Sequence, residues 1–163
     1  PFSIIYADLD NFKAYNDAYG FKNGDNILLL LTTILSWAVG RHGLPNDFVG
    51  HVGGDDFVII TAPSRAERIS QGIVRCFKRL VRTHYTQNDR DRGYIRGKDR
   101  SGILRTFPLV SVSLAIIDCR GDASLASIAQ RSADMKKYAK TIDGNSYVRD
   151  RRTRDMQDTA AAG

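Results

Sequence analysis

The chain reads as an α/β (α+β) fold with helices laid over one sheet. Three features carry that reading: short runs rich in β-formers, longer stretches with apolar residues at helical spacing between them, and glycine, proline or aspartate at the junctions. The expected element order is β-α-α-β-β-α-β-α-β. With 163 residues the chain is long enough for one domain with a real core. That domain is expected to span 1–149, with 150–163 as a basic, frayed tail or linker.

Phe2 to Ala7 is a short β-rich run that ends abruptly at Asp8-Leu9-Asp10, so a strand delivers carboxylates at its C-terminal end. Asn11 to Tyr19 is polar with scattered aromatics, a short helix stopped by Gly20. Asp25 or Asn26 can cap a long helix running to about Arg41. Phe48 to Val52 and Phe57 to Thr61 are β-rich runs separated by Gly53-Gly54-Asp55-Asp56, which predicts a hairpin with that tetrapeptide at its tip. Beyond Pro63, Ile69, Ile73, Phe77 and Leu80 recur at helical spacing over Arg65 to Arg82. Thr83 to Arg105 is charged, glycine-punctuated and poor in apolar residues, and is expected to be a long exposed loop. Leu109 to Ile117 predicts a strand, Ala123 to Lys140 a helix and Ser146 to Val148 a last short strand.

Lysine and arginine outnumber aspartate and glutamate by 24 to 18, a modest surplus that favours anionic partners. Cys76 and Cys119 make neither a disulfide framework nor a CxxC metal pair, and suit a reducing compartment. The longest apolar stretch, Ile27 to Val39, is interrupted by Thr32, Thr33 and Ser36 and is shorter than the ~20 residues a bilayer requires. No direct membrane span is expected. The chain starts on a strand-like run without Met or a signal-peptide pattern, as a piece of a longer protein would. A cytoplasmic location follows, with room for a membrane-tethered parent.

Other chemistry is sparse. The sequence has no GxxxxGK[ST] loop, no GxGxxG after a strand, no HExxH and no GxSxG, and its histidines, His42, His51 and His84, are not at ligand spacing. Nucleic-acid modules are missing too, so no nucleic-acid partner is expected. The carboxylates remain. If the first strand lies beside the hairpin, Asp8 and Asp10 converge with Asp55 and Asp56, and a hard cation such as Mg²⁺ is bound by such oxygens together with phosphate. Gly53 and Gly54 let a turn approach a bulky ligand. Amides at Asn11 to Lys13 can meet phosphate oxygens at a helix start, and Lys13 adds charge. The same tetrapeptide also suits a solvated hairpin turn, and Asp8 and Asp10 suit helix capping.

"DLDNFKAYNDAYGFKNGD" (8 to 25) followed by "GGDDF" (53 to 57) resembles the GGDEF domain, the diguanylate cyclase family that joins two GTP into cyclic di-GMP. The first block fits D-x-D-x-F-K-x-x-N-D-x-x-G-H-x-x-G-D except that Phe21 stands for His. The resemblance spans about Phe2 to Val148, including "AK" (139 to 140) and "GNSY" (144 to 147). It implies a palm-like fold, a central mostly antiparallel five-stranded sheet flanked by helices. It places metal ligands for Mg²⁺, or Mn²⁺, on Asp8, the Leu9 carbonyl and Asp55. Asn16 and Asp25 fall on the guanine-reading positions, with helix capping as their alternative. Asn11, Phe12, Lys13, Gly53, Gly54 and Asp56 fall in the GTP-binding segments. Lys140 matches a helix lysine that reaches the phosphates, with plain solvent exposure as its alternative. Catalytic roles fall on Asp55, as proton acceptor and metal ligand, and on Lys13. Catalysis in the family requires a second GGDEF domain facing the first, and the parent chain is expected to carry other domains.

The departures are specific. Asp56 replaces the usual Glu, shortening its reach by about one C–C bond, and a misplacement of about 1 Å costs ~100-fold in rate. His51 stands where Arg is common. "LPND" (44 to 47) falls on the R-x-x-D product-inhibition site with Leu44 in place of Arg, so that site is expected to be absent. A D-x-L-T-G-L-x-N-R-like segment that precedes the domain in the family is not in the sequence. Three readings stay open: an active GTP-condensing cyclase; a degenerate GTP-binding domain regulating an attached domain such as a cyclic di-GMP phosphodiesterase; and a basic interaction module using 83 to 105 and 149 to 154.

Overall fold

The computed structural model describes residues 1–98, 101–119 and 124–152. Its main sheet has five strands in the order β2-β3-β1-β6-β7, formed by β1 (Phe2–Asp10), β2 (Phe48–Gly53), β3 (Asp56–Thr61), β6 (Ser111–Cys119) and β7 (Ser146–Arg149). All neighbours are antiparallel except β6 and β7. This is the mostly antiparallel five-stranded sheet expected of the palm fold.

Burial explains the strand composition. β1 and β6 are central and covered on both faces, so they are apolar almost throughout. The odd residues Ile5, Ala7 and Leu9 of β1 join Val112, Leu114 and Ile116 of β6 in the larger core, under α1 (Phe12–Tyr19), α2 (Phe21–His42) and α3 (Pro63–Leu80). The even face carries Ile4, Ala115 and Ile117 against α5 (Leu125–Ala139). Asp8 and Asp10 follow in the same alternation and so emerge on the α5 face at the end of β1.

The charged stretch 83 to 105 is not a plain loop. Val81–His84 forms a 3₁₀ turn, Gln87–Arg92 a short helix α4, and Tyr94–Lys98 (β4) pairs antiparallel with Leu104–Pro108 (β5) as a separate hairpin. Its anchor is aromatic. Tyr15 and Tyr19 of α1 stack at 4.7 Å, and the edge of Tyr85 meets Tyr15 at 5.1 Å between centroids. Tyr15 donates to the His84 carbonyl at 2.9 Å, Tyr19 to the Asp89 carboxylate, and the Val110 amide to the Tyr85 hydroxyl at 2.8 Å. Three tyrosines therefore supply the burial that the charged segment lacks.

Other boundaries also shift. β1 continues through Asp10, and α2 begins at Phe21, so Asp25 lies inside its first turns rather than capping it. β6 begins at Ser111 and runs to Cys119. The basic run is tied down rather than frayed as far as Arg152: Arg149 closes β7, and the buried Asp150 accepts from Arg131 Nε at 2.7 Å and Arg152 Nε at 3.0 Å. The expected helix start at Ala123 and the tail from residue 153 lie outside the described residues. No helix among the described residues is long and apolar enough to cross a membrane.

Candidate active site

β1 and β3 pair directly, from Ser3 opposite Thr61 to Ala7 opposite Phe57, so the end of β1 lies beside the β2–β3 turn. Gly54 takes φ +58 in that turn, a left-handed conformation that costs an L-residue about 1–2 kcal/mol. His51 braces it: its Nε2–H donates to the Gly54 carbonyl at 2.9 Å, and its ring stacks on Phe57 at 4.4 Å. The histidine standing where the family often has arginine therefore supports the turn.

From the other side, α5 lays two lysines over the strand end. Lys140 Nζ lies 2.5 Å from Asp8 Oδ1, while Lys136 Nζ lies 3.7 Å from Asp8 Oδ2 and also pairs with Asp56. Asp10 accepts from Ser111 Oγ at 3.0 Å and Ser113 Oγ at 2.6 Å. Asp55 makes no ion pair or hydrogen bond with any described residue, yet its charge reaches Asp8, Asp10 and Lys140. Four carboxylates and two ammoniums thus converge.

Their electrostatics follow from burial. Burial pushes the Asp8 carboxyl above its ordinary value of 3.8; Lys140 opposes the shift and Asp55 adds to it. Asp10 is likewise raised by burial against the pull of Ser113 and Ser111. Burial also pushes Asp56 up, but the Lys136 hydrogen bond and charge outweigh it and hold this carboxyl low. For Lys140, burial disfavours the charged form, but Asp8 overcomes it and raises the ammonium. The cluster is a set of crowded anions balanced by helix cations.

A cleft of about 510 Å³ opens beside the cluster, lined in part by Asp10, Asn11, Lys140 and Asp143. At its edge α1 begins without a side-chain cap, and Asn11 holds φ +61 there. The first amides of a helix have no intrahelical partner, so those of Phe12, Lys13 and Ala14 are available to anionic oxygens.

The remaining expected residues are placed unevenly. Leu9 is buried in β1, and Gly53 pairs with Asp56 after a register shift between His51 and Gly53. Lys13 does not line the cleft and pairs with Asp17 at 2.8 Å on the exposed face of α1. Asn16 and Asp25 do not line the cleft; Asn16 lies against Gly24 where α1 meets α2, and Asp25 is the exposed residue after Gly24. Asn16 Oδ1 is shielded there with no hydrogen-bond partner, and a Cβ on Gly24 would lie 1.8 Å from it. Asp47, in the turn begun by Leu44, is engaged internally: it accepts from the Leu44 amide at 2.8 Å and Thr61 Oγ1 at 2.7 Å. Sequence reasoning missed Lys136, which reads as part of a solvated Lys136-Lys137 pair. The usable signal was its spacing from Lys140, one helical turn.

The donor set suits a hard divalent cation. Asp8, the Leu9 carbonyl and Asp55 offer oxygen only, which Mg²⁺ prefers. Among the described residues no three acid, imidazole or thiol side chains form a metal cage of their own. Mg²⁺ sites commonly use one or two carboxylates and leave the remaining positions to water and substrate phosphates, which these residues fit.

The fold has close structural company. The active GGEEF domain of a diguanylate cyclase from Vibrio cholerae superposes with a TM-score of 0.60 at 23% identity, covering 91% of this chain and 83% of that one. A microbial GGDEF domain studied with cyclic di-GMP superposes at 0.57 and 24% identity, covering 91% and 78%. In sequence, a diguanylate cyclase of Vibrio cholerae is 36% identical over 67 residues, 41% of this chain and 20% of that protein. The cyclic di-GMP phosphodiesterase PdeR of Escherichia coli is 31% identical over 135 residues, 83% of this chain and 17% of that protein. The chain spans about a fifth or less of the curated relatives it matches. The family described as "Diguanylate cyclase, GGDEF domain" matches residues 1–96, over half of the chain and through both carboxylate turns. By that match, and by the sheet that sets Asp8 beside the Gly-Gly-Asp-Asp turn, the chain belongs to the GGDEF domain family.

Proposed function

We propose that this domain binds GTP with Mg²⁺ and, when paired with a second GGDEF domain, condenses two GTP into cyclic di-GMP with release of pyrophosphate. The observation that carries the proposal is the apposition of Asp8, Asp55 and Asp56 beneath Lys136 and Lys140, beside an uncapped helix start. In the reaction a 3'-hydroxyl attacks an α-phosphorus and the α–β phosphoanhydride breaks. A bound Mg²⁺ would supply charge neutralisation at the phosphates, held by Asp8, Asp55 and the Leu9 carbonyl. Lys140, which lines the cleft, would exchange Asp8 for a phosphate oxygen, and the uncapped start of α1 next to the lining residue Asn11 would offer its amides to the leaving pyrophosphate. Asp55, without an ion pair or hydrogen bond among the described residues, would accept the hydroxyl proton. Asn16 and Asp25 would read guanine: a carboxylate accepts from N1–H and the 2-amino group, a pattern adenine does not offer. Lys13 would have to leave Asp17 to add its charge.

One observation favours a second reading, a GTP-binding regulator of an attached domain. Asp56 is shorter than the family's Glu and is occupied by Lys136, and the relative matched over most of this chain is named a phosphodiesterase. Incubating a dimerised form with GTP and Mg²⁺ and chromatographing the products separates the two. Cyclic di-GMP and pyrophosphate support the cyclase; bound but unreacted GTP selects the regulator.

A further inference from the structure

We propose that a basic groove at the C-terminal end of α3 binds an organic phosphate with a flat apolar body, a nucleotide in chemical class, outside the substrate cleft. The groove encloses about 580 Å³, within the ~300–1,000 Å³ of small-molecule pockets. Arg75, Lys78, Arg79 and Arg82 form one wall, and none of the lining residues is acidic. Arg75, Arg79 and Arg82 recur at helical spacing, so they share a face. Arg75, Lys78 and Arg79 make no ion pair or hydrogen bond with the described residues, and Arg82 donates only to the Arg90 carbonyl at 3.0 Å. Arg131 and Lys140, by contrast, pair with Asp150 and Asp8. Here the cations cluster without an anionic partner among the described residues.

The floor is of another character. Half-buried Leu109 supplies apolar surface over the buried Val81 and Val110, while Gly93 and Gly144 keep the walls open. A charged rim over an apolar floor matches a ligand with a phosphate at one end and an aromatic ring at the other, since arginine forks onto phosphate and the ring buries against the aliphatic floor. A simple anion would leave that floor unused, and a lipid surface is too flat to enter a groove walled by α3 and the 144–145 turn.

The groove is distinct from the turn at Leu44 to Asp47. Asp47 bonds Thr61, which pairs with Ser3, whereas the groove residue Ser111 pairs with Asp10. Those ends of β1 are roughly 23 Å apart at ~3.3 Å per residue. The groove does adjoin the candidate active site, because Leu109, Ser111 and Gly144 line both clefts and Ser111 also bonds Asp10. Its occupant would thus brace a wall of the neighbouring cleft. Binding itself does not depend on the proposed cyclase reaction.

The test is titration of the 163-residue chain with ADP in EDTA, by calorimetry and by amide NMR, with pyrophosphate as a second probe. ADP is expected to bind more tightly than pyrophosphate and to shift the amides of Arg79 and Gly93 but not those of Asn16 and Gly24. The double variant Arg75→Gln/Arg79→Gln should weaken ADP at least ~tenfold, the scale of lost hydrogen bonds to charged groups, at an unchanged melting temperature. The proposal is overturned by absence of ADP binding, by shifts confined to Asn16 and Gly24, by pyrophosphate binding as tightly as ADP, or by binding only to phosphatidylserine-rich vesicles.

Discussion

Lys140 lies 2.5 Å from Asp8, joining the last turn of α5 to the end of the first strand. One turn earlier Lys136 reaches both Asp8 and Asp56, so α5 neutralises from above a carboxylate cluster assembled by β1 and the β2–β3 turn. Helix and sheet each supply one sign of charge, and a polyphosphate with its cation would enter between them.

Asp55 is the member of that cluster with no ion pair or hydrogen bond among the described residues, at a half-buried turn. Asp55→Asn should therefore keep its melting temperature while cyclic di-GMP formation in a dimerised form falls at least ~100-fold, the scale of a lost general base. Near-normal turnover would remove Asp55 from the chemistry, and a collapsed melting temperature would make its role structural.

Lys136 and Asp56 should be energetically coupled. A double-mutant cycle with Lys136→Ala and Asp56→Ala is expected to give about 0.5–1 kcal/mol, limited by the partial exposure of both side chains. Asp56→Glu, restoring the usual family residue, should leave activity unchanged or raise it. A coupling indistinguishable from zero would mean that the lysine is only a solvated neighbour.

Gly24 tests the proposed guanine contact at Asn16. An exposed helix would gain up to about 1 kcal/mol from Gly→Ala, but a Cβ here would press on Asn16 Oδ1. We expect Gly24→Ala to weaken GTP more than pyrophosphate, with no gain in melting temperature. Increased stability with unchanged GTP affinity would show that the contact between the helices has no bearing on the base.

Asp150 should contribute to stability in a pH-dependent way. Burial pushes its carboxyl up, but hydrogen bonds from Arg152 and Arg131 outweigh that and hold it below 3.8. Because the folded form resists protonation, the stabilisation is fully present above 3.8 and is lost as pH falls through the lower folded value. Asp150→Asn should cost about 1–3 kcal/mol at neutral pH, and its deficit in chemical denaturation should shrink below pH 3.8. A deficit independent of pH would contradict the ion-pair origin.

What could be read from the sequence follows from how locally each feature is encoded. The run Phe2 to Asp10 and the Gly53 to Asp56 turn carry their signals within a few residues, so both carboxylate pairs and the palm fold were legible. The β4–β5 hairpin was not: Tyr94–Lys98 and Leu104–Pro108 carry little apolar signal of their own, and the stretch they belong to is anchored through Tyr85 to the distant Tyr15 and Tyr19 of α1. Asp150 was hidden in a basic run because its burial depends on Arg131, nineteen positions away. Lys136 was missed for a similar reason, since only the placement of α5 over β1 turns a surface lysine toward Asp8.

The central claim is that this carboxylate and lysine cluster is a metal-dependent guanine nucleotide site. Calorimetric titration of the domain with GTP and with ATP, each with Mg²⁺ and then with EDTA, tests it most directly. The account predicts that GTP binds with Mg²⁺ at least ~tenfold more tightly than ATP, as the two base contacts at Asn16 and Asp25 would give, and that EDTA or Asp8→Asn abolishes this preference. Equal affinity for GTP and ATP with Mg²⁺, or a preference for GTP indifferent to both EDTA and Asp8→Asn, would contradict it.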